Sequence, residues 1–449
     1  MKDAKRQTLG LVTLLAILTS ALPLGANRPM WWLLLAFVIF VLFTVQLYLD
    51  FRQGPDVASR RALLPALLFI AAVGWACVQA GLPVDESLAH PVWKVVFTMS
   101  SFRISADPIE TLHHIVRLAC YAMIFWIALR AARNSRFADI SLQIIAVVIT
   151  GFSAYGILAV ILGGNPILGD LASRAVSASF VNRNNFASFA VVGLLANTTI
   201  YLRHRPAASS DGLRQARDFL EAFFSGSWIF AIGILICFAA IFFSESRAGL
   251  GAALIGLAVF SATGRDRGAG SAFSVAFVAL IVALSIIAFS SGTFTRIFAV
   301  QGEEARFLIY PLVLDGIGDR PWLGHGLGAF HDAFRPYVTP ELSFREIDLA
   351  HSSYLENIFE LGIPAAAVFY SALFLIVGGI YRGLRVRRRN KHFARFAFAV
   401  AVALGFHAFL DFSLQIPAIA SLFAFVLGLG WAQAFSEKDF KENLGSASE

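Results

Sequence analysis

Runs of about 20 apolar residues recur along this whole chain, and no other feature limits its fold so severely. A helix of that length crosses a hydrocarbon core about 30 Å thick. Twelve candidate spans fall at roughly 9–25, 31–49, 62–82, 112–132, 138–163, 185–202, 227–243, 248–263, 271–290, 356–381, 396–411 and 417–435. The expected fold is all-α, a polytopic membrane helix bundle of about 12 transmembrane helices. A large soluble helical protein is the alternative. Composition argues against it: 58% of residues are hydrophobic and 14% charged, against about 45–50% and about 25% in soluble domains. The first run follows Lys2, Lys5 and Arg6 as a signal peptide would. No small-residue cleavage site follows it and further spans do, so it reads as a retained helix. Cys77, Cys120 and Cys237 fall within runs and read as packing residues rather than a disulfide or zinc framework.

The +7 net charge would suggest a nucleic-acid partner only if the spans were ignored. Taking alternate loops and the two termini together collects 24 of the 36 lysines and arginines, the densest group being "RGLRVRRRNKHFAR" from Arg382 to Arg395. The positive-inside rule makes that side cytoplasmic. The basic patches are then topology signals and lipid-headgroup contacts, with no nucleic acid implied. Both termini are expected in the cytoplasm, and His351 faces outward.

Two outward segments are long, about 83–111 and 291–355. Loops of that size are commonly functional. The expected organisation is helices 1–9 in 1–290, a helical outward-facing cap loop in 291–355, helices 10–12 in 356–435 and a cytoplasmic tail in 436–449. Within the cap, Ala305–Ile317 has helical periodicity and Asp319-Arg320-Pro321 should end it. Gly324, Gly326 and Gly328 in "WLGHGLGAF" read as turn residues, because a nucleotide-cradling loop needs a strand before it and a nucleotide to hold.

The outward arginines are few. Arg183 opens a span in "SFVNRNNFASF" between Asn182 and Asn184, with Asn185 next; Arg247 and Glu245 lie in the tight turn "FFSESRAGLG"; Arg306 opens the cap helix. An arginine at membrane depth normally faces a cavity or a partner. Each has two readings: an interfacial residue snorkelling to lipid or paired with a carboxylate, or a bidentate phosphate ligand. The helix start at Arg183 adds free N–H groups and a positive dipole end. His351 is suited to accept a proton near neutrality, or it simply precedes a helix capped by Ser352 and Ser353. Glu356 and Glu360 share a helix face and could pair with the arginines. Asp411, one turn after His407, could hold an arginine, orient His351 or act as a cap.

The stretches "SFVNRNNFA", "SESRAG", "PWLGHGLGAF", "HSSYLENIFELGIP" and "DFSLQIPA" resemble, in this order, those of bacterial O-antigen ligases and the related O-antigen and exopolysaccharide polymerases. The resemblance covers Ser179 to Ala418. It implies an integral-membrane glycosyltransferase of the bacterial inner membrane, with its active site facing the periplasm. The implied donor is an undecaprenyl-diphosphate-linked glycan and the implied acceptor is lipid A core, or another lipid-linked glycan in a polymerase. By the same resemblance His351 is the general base, Arg183 and Arg247 bind the donor diphosphate, and Arg306 matches a loop arginine. Asn182, Asn184, Glu356 and Asp411 complete the expected substrate-binding set. Two positions depart from the family: Ala178-Ser179 stands where Gly-Thr is frequent, and Asn185 where histidine is common.

The expected reaction is inverting and metal-independent, with no cofactor. Glu346 with Asp348 is the nearest acidic pair that a metal could use. A transporter of lipid-linked oligosaccharides is the competing class, but transporters tend to show internal repeats, and none relates the two halves here. Protein O-glycosylation is a third possibility.

Overall fold

The computed structural model describes residues 2–51, 56–94, 102–169, 175–203, 228–264, 303–340, 342, 347–387 and 389–435. Among these residues the protein is helical, with no strand beyond one isolated bridge between Val84 and Phe102. The helices are α1 (Lys2–Ser20), α2 (Pro29–Phe51), α3 (Val57–Arg61), α4 (Leu63–Gly81), α5 (Pro108–Ala131), α6 (Ser135–Ile161), α7 (Arg183–Arg203), α8 (Trp228–Phe243), α9 (Arg247–Ala262), α10 (Glu303–Asp319), α11 (Phe330–Phe334), α12 (Ser353–Leu361), α13 (Ile363–Val386), α14 (Lys391–Leu410) and α15 (Pro417–Ala434). Eight of them, α2, α4–α7 and α13–α15, are long and apolar enough to cross a membrane. The apolar α8 and α9 are shorter, 16 residues each, or about 24 Å at about 1.5 Å per residue. The expected first span is helical, as α1, but is not among these eight; its opening turns carry Lys2, Asp3, Lys5 and Arg6. The expected span at 271–290, Glu346 and the 436–449 tail lie outside the described residues, as does the side chain of Arg306.

Two helices are sheathed by the rest. The helices α7 and α15 are buried along almost their whole length, whereas α2 and α13 leave most of their residues half-buried or exposed. A helix apolar on all sides can be buried on all sides. Basic residues from separate loops meet at one end of the bundle. Asp50 accepts from Arg6 (2.6 Å), Arg130 (2.8 Å) and Trp126 Nε1 (2.8 Å), and Asp56 pairs with Arg130 (3.0 Å) and Arg133 (2.9 Å). Arg203 pairs with Asp139 at the same end.

The opposite end carries the cap. The apolar face of α10, Ile309, Val313 and Ile317, packs with Ala106, Phe330, Phe334 and Phe359 in a core separate from that of the bundle. The helix ends at Asp319, where Pro321 two residues on was expected to stop it. Gly324, Gly326 and Gly328 all have positive φ (69°, 108° and 76°), so this segment is a run of turns. Both long loops contribute. Ala106 N–H donates to His325 O (2.8 Å), and Arg320 donates to Ala89 O (2.8 Å) and Leu88 O (2.9 Å).

The expected span 356–381 divides at Gly362, whose φ is 79° and which precedes Ile363-Pro364. The span proper begins at Ile363. The polar segment before it is the separate nine-residue α12, which packs in the cap rather than in lipid. Its terminal carbonyls are taken up by α4: Gln79 Nε2 donates to Glu360 O (2.9 Å) and Trp75 Nε1 to Leu361 O (3.0 Å). A helix end without an intrahelical continuation needs such partners.

Candidate functional site

His351, the residue before the cap Ser352, has φ 54°. That left-handed conformation costs a non-glycine residue about 1–2 kcal/mol, and its persistence requires neighbours that enforce it. Three contacts do so. Ala350 N–H donates to Glu356 Oε2 (2.7 Å), Tyr310 Oη donates to His351 O (3.1 Å), and the Ser352 hydroxyl accepts from Leu355 N–H at 3.5 Å. Ser353, expected to share the capping, instead donates to Asp411 O (3.3 Å).

Asp411 follows α14 directly and is fully buried. Its Oδ1 accepts from Phe412 N–H (2.8 Å) and lies 3.7 Å from His351 Nδ1, while Oδ2 accepts from Asn184 Nδ2. The carboxylate therefore holds an asparagine and faces a histidine. The His351 side chain is one-third exposed.

Asn184 belongs to the first turn of α7, so its bond to Asp411 brings the Asn-Arg-Asn stretch beside His351. Asn182 acts as a cap, its side-chain oxygen accepting from Asn184 N–H (2.7 Å). Arg183 pairs with Glu245 across 3.2 Å, both side chains more than a third exposed. That pair ties α7 to the α8–α9 turn carrying Arg247. A Cβ on Gly249 would overlap Ala187 Cβ, so the N-terminal parts of α9 and α7 are in direct contact. Glu245 and Ala178 are also left-handed, with φ 55° and 45°. Three of the five stretches singled out in the sequence thus contain, or directly follow, a non-glycine residue in that conformation.

The expected pairing of Glu356 and Glu360 with arginines is absent among the described residues. Both carboxyls are buried in the cap. Glu356 accepts from Ala350 N–H and from Gln415 Nε2 (2.8 Å), and burial pushes its pKa up to about 7. Glu360 accepts from Phe330 N–H (3.2 Å), and burial, with Glu356 one turn away, raises its pKa well above the ordinary carboxylate range. The α12 face was read correctly as shared, but it turns inward to backbone donors.

Several further polar residues are given no role by the sequence reading. Ser413 joins Asn185 (3.0 Å), Ser188 (3.0 Å) and His407 Nδ1 (3.2 Å) in a buried network. In the cap, Val92 N–H donates to His90 Nδ1 (3.2 Å), His90 Nε2 meets His325 Nδ1 (2.9 Å), and His325 Nε2 meets Gly316 O (2.9 Å). This chain is satisfied only when both imidazoles are neutral, and burial lowers their pKa values to about 3 (His90) and about 4 (His325). An apolar groove between α4 and α13, lined by Trp75, Trp322 and Pro364, contains no titratable group.

These features define a polytopic helical membrane protein with a small cap, holding a histidine over a buried carboxylate next to two helix N-termini that begin with arginine. Residues 232–370 match the family model for O-antigen ligase, which supports placing the chain in the O-antigen ligase and polymerase superfamily of membrane glycosyltransferases. The match runs from α8 into α13 and includes Glu245, Arg247, Arg306, His351 and Glu356. Asn182, Arg183, Asn184 and Asp411 lie outside it. No curated protein gives a match.

Proposed function

We propose that this protein transfers a glycan from an undecaprenyl-diphosphate donor to a sugar hydroxyl of lipid A core at the periplasmic face of the bacterial inner membrane. The observation that carries the reading is His351 Nδ1 facing buried Asp411 at 3.7 Å, with Arg183 and Arg247 on adjoining helix starts. The concentration of arginine at the other end of the bundle supports a cytoplasmic orientation for that end.

A carboxylate opposite Nδ1 favours the tautomer with its proton there, leaving Nε2 as the base. Nε2 takes the acceptor hydroxyl proton as the oxygen attacks the anomeric carbon. The bond from that carbon to the diphosphate breaks with inversion, and the electron pair leaves with the diphosphate. Arg183, Arg247 and Arg306 stabilise the charge that gathers there. In the resting site Glu245 occupies Arg183, and the donor diphosphate displaces it. Asp411 stabilises the imidazolium as it forms. No metal takes part in this scheme.

The test is purified protein with lipid-linked donor, EDTA present, and either lipid A core or a second lipid-linked glycan as acceptor. His351→Gln should bind donor and fail to transfer, since glutamine hydrogen-bonds but is not a useful base. Parent-like turnover of that variant would remove the base from His351. Arrest of the parent by EDTA would overturn the metal-free scheme. Transfer only to the second lipid-linked glycan would make the protein a polymerase.

A further inference from the structure

A second polar cluster lies where α2 meets α5, and it shares no residue with the His351 site. The guanidinium carbon of Arg117 sits 4.6 Å from the centroid of the Trp32 ring. Its Nη1 lies 3.5 Å from His114 Nε2, while His114 Nδ1 is bonded to Glu110 O (3.0 Å). The Glu110 carboxylate is 3.2 Å from His113 Nδ1. Among the described residues no carboxylate lies within ion-pair distance of Arg117, and Glu110 acts on it at longer range. Three donors in this cluster, Arg117 Nε, Trp32 Nε1 and Tyr121 Oη, are buried without an acceptor. A cation whose remaining donors lack an acceptor is the complement of an oxyanion.

Depth narrows the choice of anion. Trp32 belongs to the first turn of α2, about 5 Å from the helix start at about 1.5 Å per residue. Tryptophan at a helix end marks the headgroup level of a membrane, and Arg117 lies against that ring. Leu33 on α2 and Leu112 and Val116 on α5 are exposed, so the seam borders lipid. Leaflet phosphates lie at the level of such interfacial tryptophans.

We infer that Arg117, backed by Trp32 and assisted by Tyr121, binds the phosphate of a membrane lipid in the leaflet on the cap side. The planar guanidinium offers two parallel N–H groups to a phosphate and stacks on an aromatic face at the same time. The phosphate comes either from a bulk phospholipid or from a phosphorylated glycolipid.

Native mass spectrometry of the full chain in detergent separates these. Phosphatidylglycerol, monophosphoryl lipid A and uncharged diacylglycerol are titrated separately into parent, Arg117→Gln, Arg117→Lys and Tyr121→Phe proteins. Arg117→Gln should weaken retention of a phosphate-bearing lipid at least tenfold, with Arg117→Lys between it and the parent. Weakening for both phosphorylated lipids assigns the site to phospholipids generally, and weakening for lipid A alone assigns it to the glycolipid. Tyr121→Phe removes one donor with the ring retained, and should weaken the same lipid if Arg117→Gln fails to fold. Unchanged retention in the variants that fold, or diacylglycerol binding as tightly as the phosphorylated lipids, overturns the assignment.

Discussion

Replacing Asp411 by asparagine removes the charge facing His351 while preserving shape. Two unit charges 3.7 Å apart interact by about 4.5 kcal/mol at an effective dielectric of about 20. His351 is one-third exposed, and water screening brings the useful part to about 2–4 kcal/mol. If the imidazolium forms in the transition state, kcat should fall roughly 30- to 1,000-fold with KM little changed. Asparagine also carries one acceptor where aspartate had two. Its amide must face either Asn184 Nδ2 or Phe412 N–H, and a donor left unpaired there costs about 1–3 kcal/mol of stability. The two effects separate in the exchange Asn184→Asp with Asp411→Asn. That double variant restores the buried bond but moves the carboxylate away from the imidazole, so thermal stability should return while turnover stays low. Asp411→Asn with kcat within about threefold of the parent would refute the argument. Recovery of turnover in the double variant would refute it as well.

Arg183→Ala should lower transfer about 100- to 1,000-fold, lysine should rescue it in part, and Arg385→Ala at the basic end should leave it unchanged; the reconstituted transfer assay measures all three. The His90–His325 pair gives the cap an acid-sensitive lock. Both folded-state pKa values lie below the ordinary 6.5, so the unfolded segment binds more protons as pH falls. Stability is full above about 6.5 and drops by up to about 1.4 kcal/mol per histidine for each pH unit toward 4. The intrinsic rate of hydrogen exchange falls between pH 7 and pH 5; once divided by it, exchange in the 84–94 and 320–329 segments should accelerate over that range, and less so in His90→Gln. Glu356 runs the other way: its pKa is raised from the ordinary 4.5 to about 7, so its contribution is full below 4.5 and is lost as pH rises to about 7. Glu356→Gln should flatten that loss in a thermal melt across this window, whereas Glu356→Ala, which strands Ala350 N–H and Gln415, should destabilise the protein at every pH.

The bundle was legible because lipid leaves a span little choice of structure, and length with hydropathy is enough to see it. The arginine and histidine stretches were legible because charge is costly where it stands. What escaped notice depends on partners far away in the chain. Asp411 meets Asn184 across 227 residues and Ser413 meets Asn185 across 228, and no local pattern encodes either. The fate of Glu356 and Glu360 turned on the break at Gly362. Gly-Ile-Pro is visible punctuation, but it was absorbed into an apolar run, and the two glutamates were assigned to a membrane helix. Arg117 was lost in the same way, inside the span 112–132.

The break at Gly362 also has a consequence for biogenesis. Gln79 and Trp75 leave the ribosome early, on α4, yet the carbonyls they bond to follow 281 and 286 residues later. During most of synthesis, the outer end of α4 therefore lacks these acceptors. Insertion machinery that recognises apolar length takes α13 from Ile363 as a span and leaves α12 on the aqueous side. Docking of α12 then closes loops of 281 and 286 residues, and the same event seats His351. The site is thus among the last parts to form, and an incompletely inserted chain lacks an assembled base.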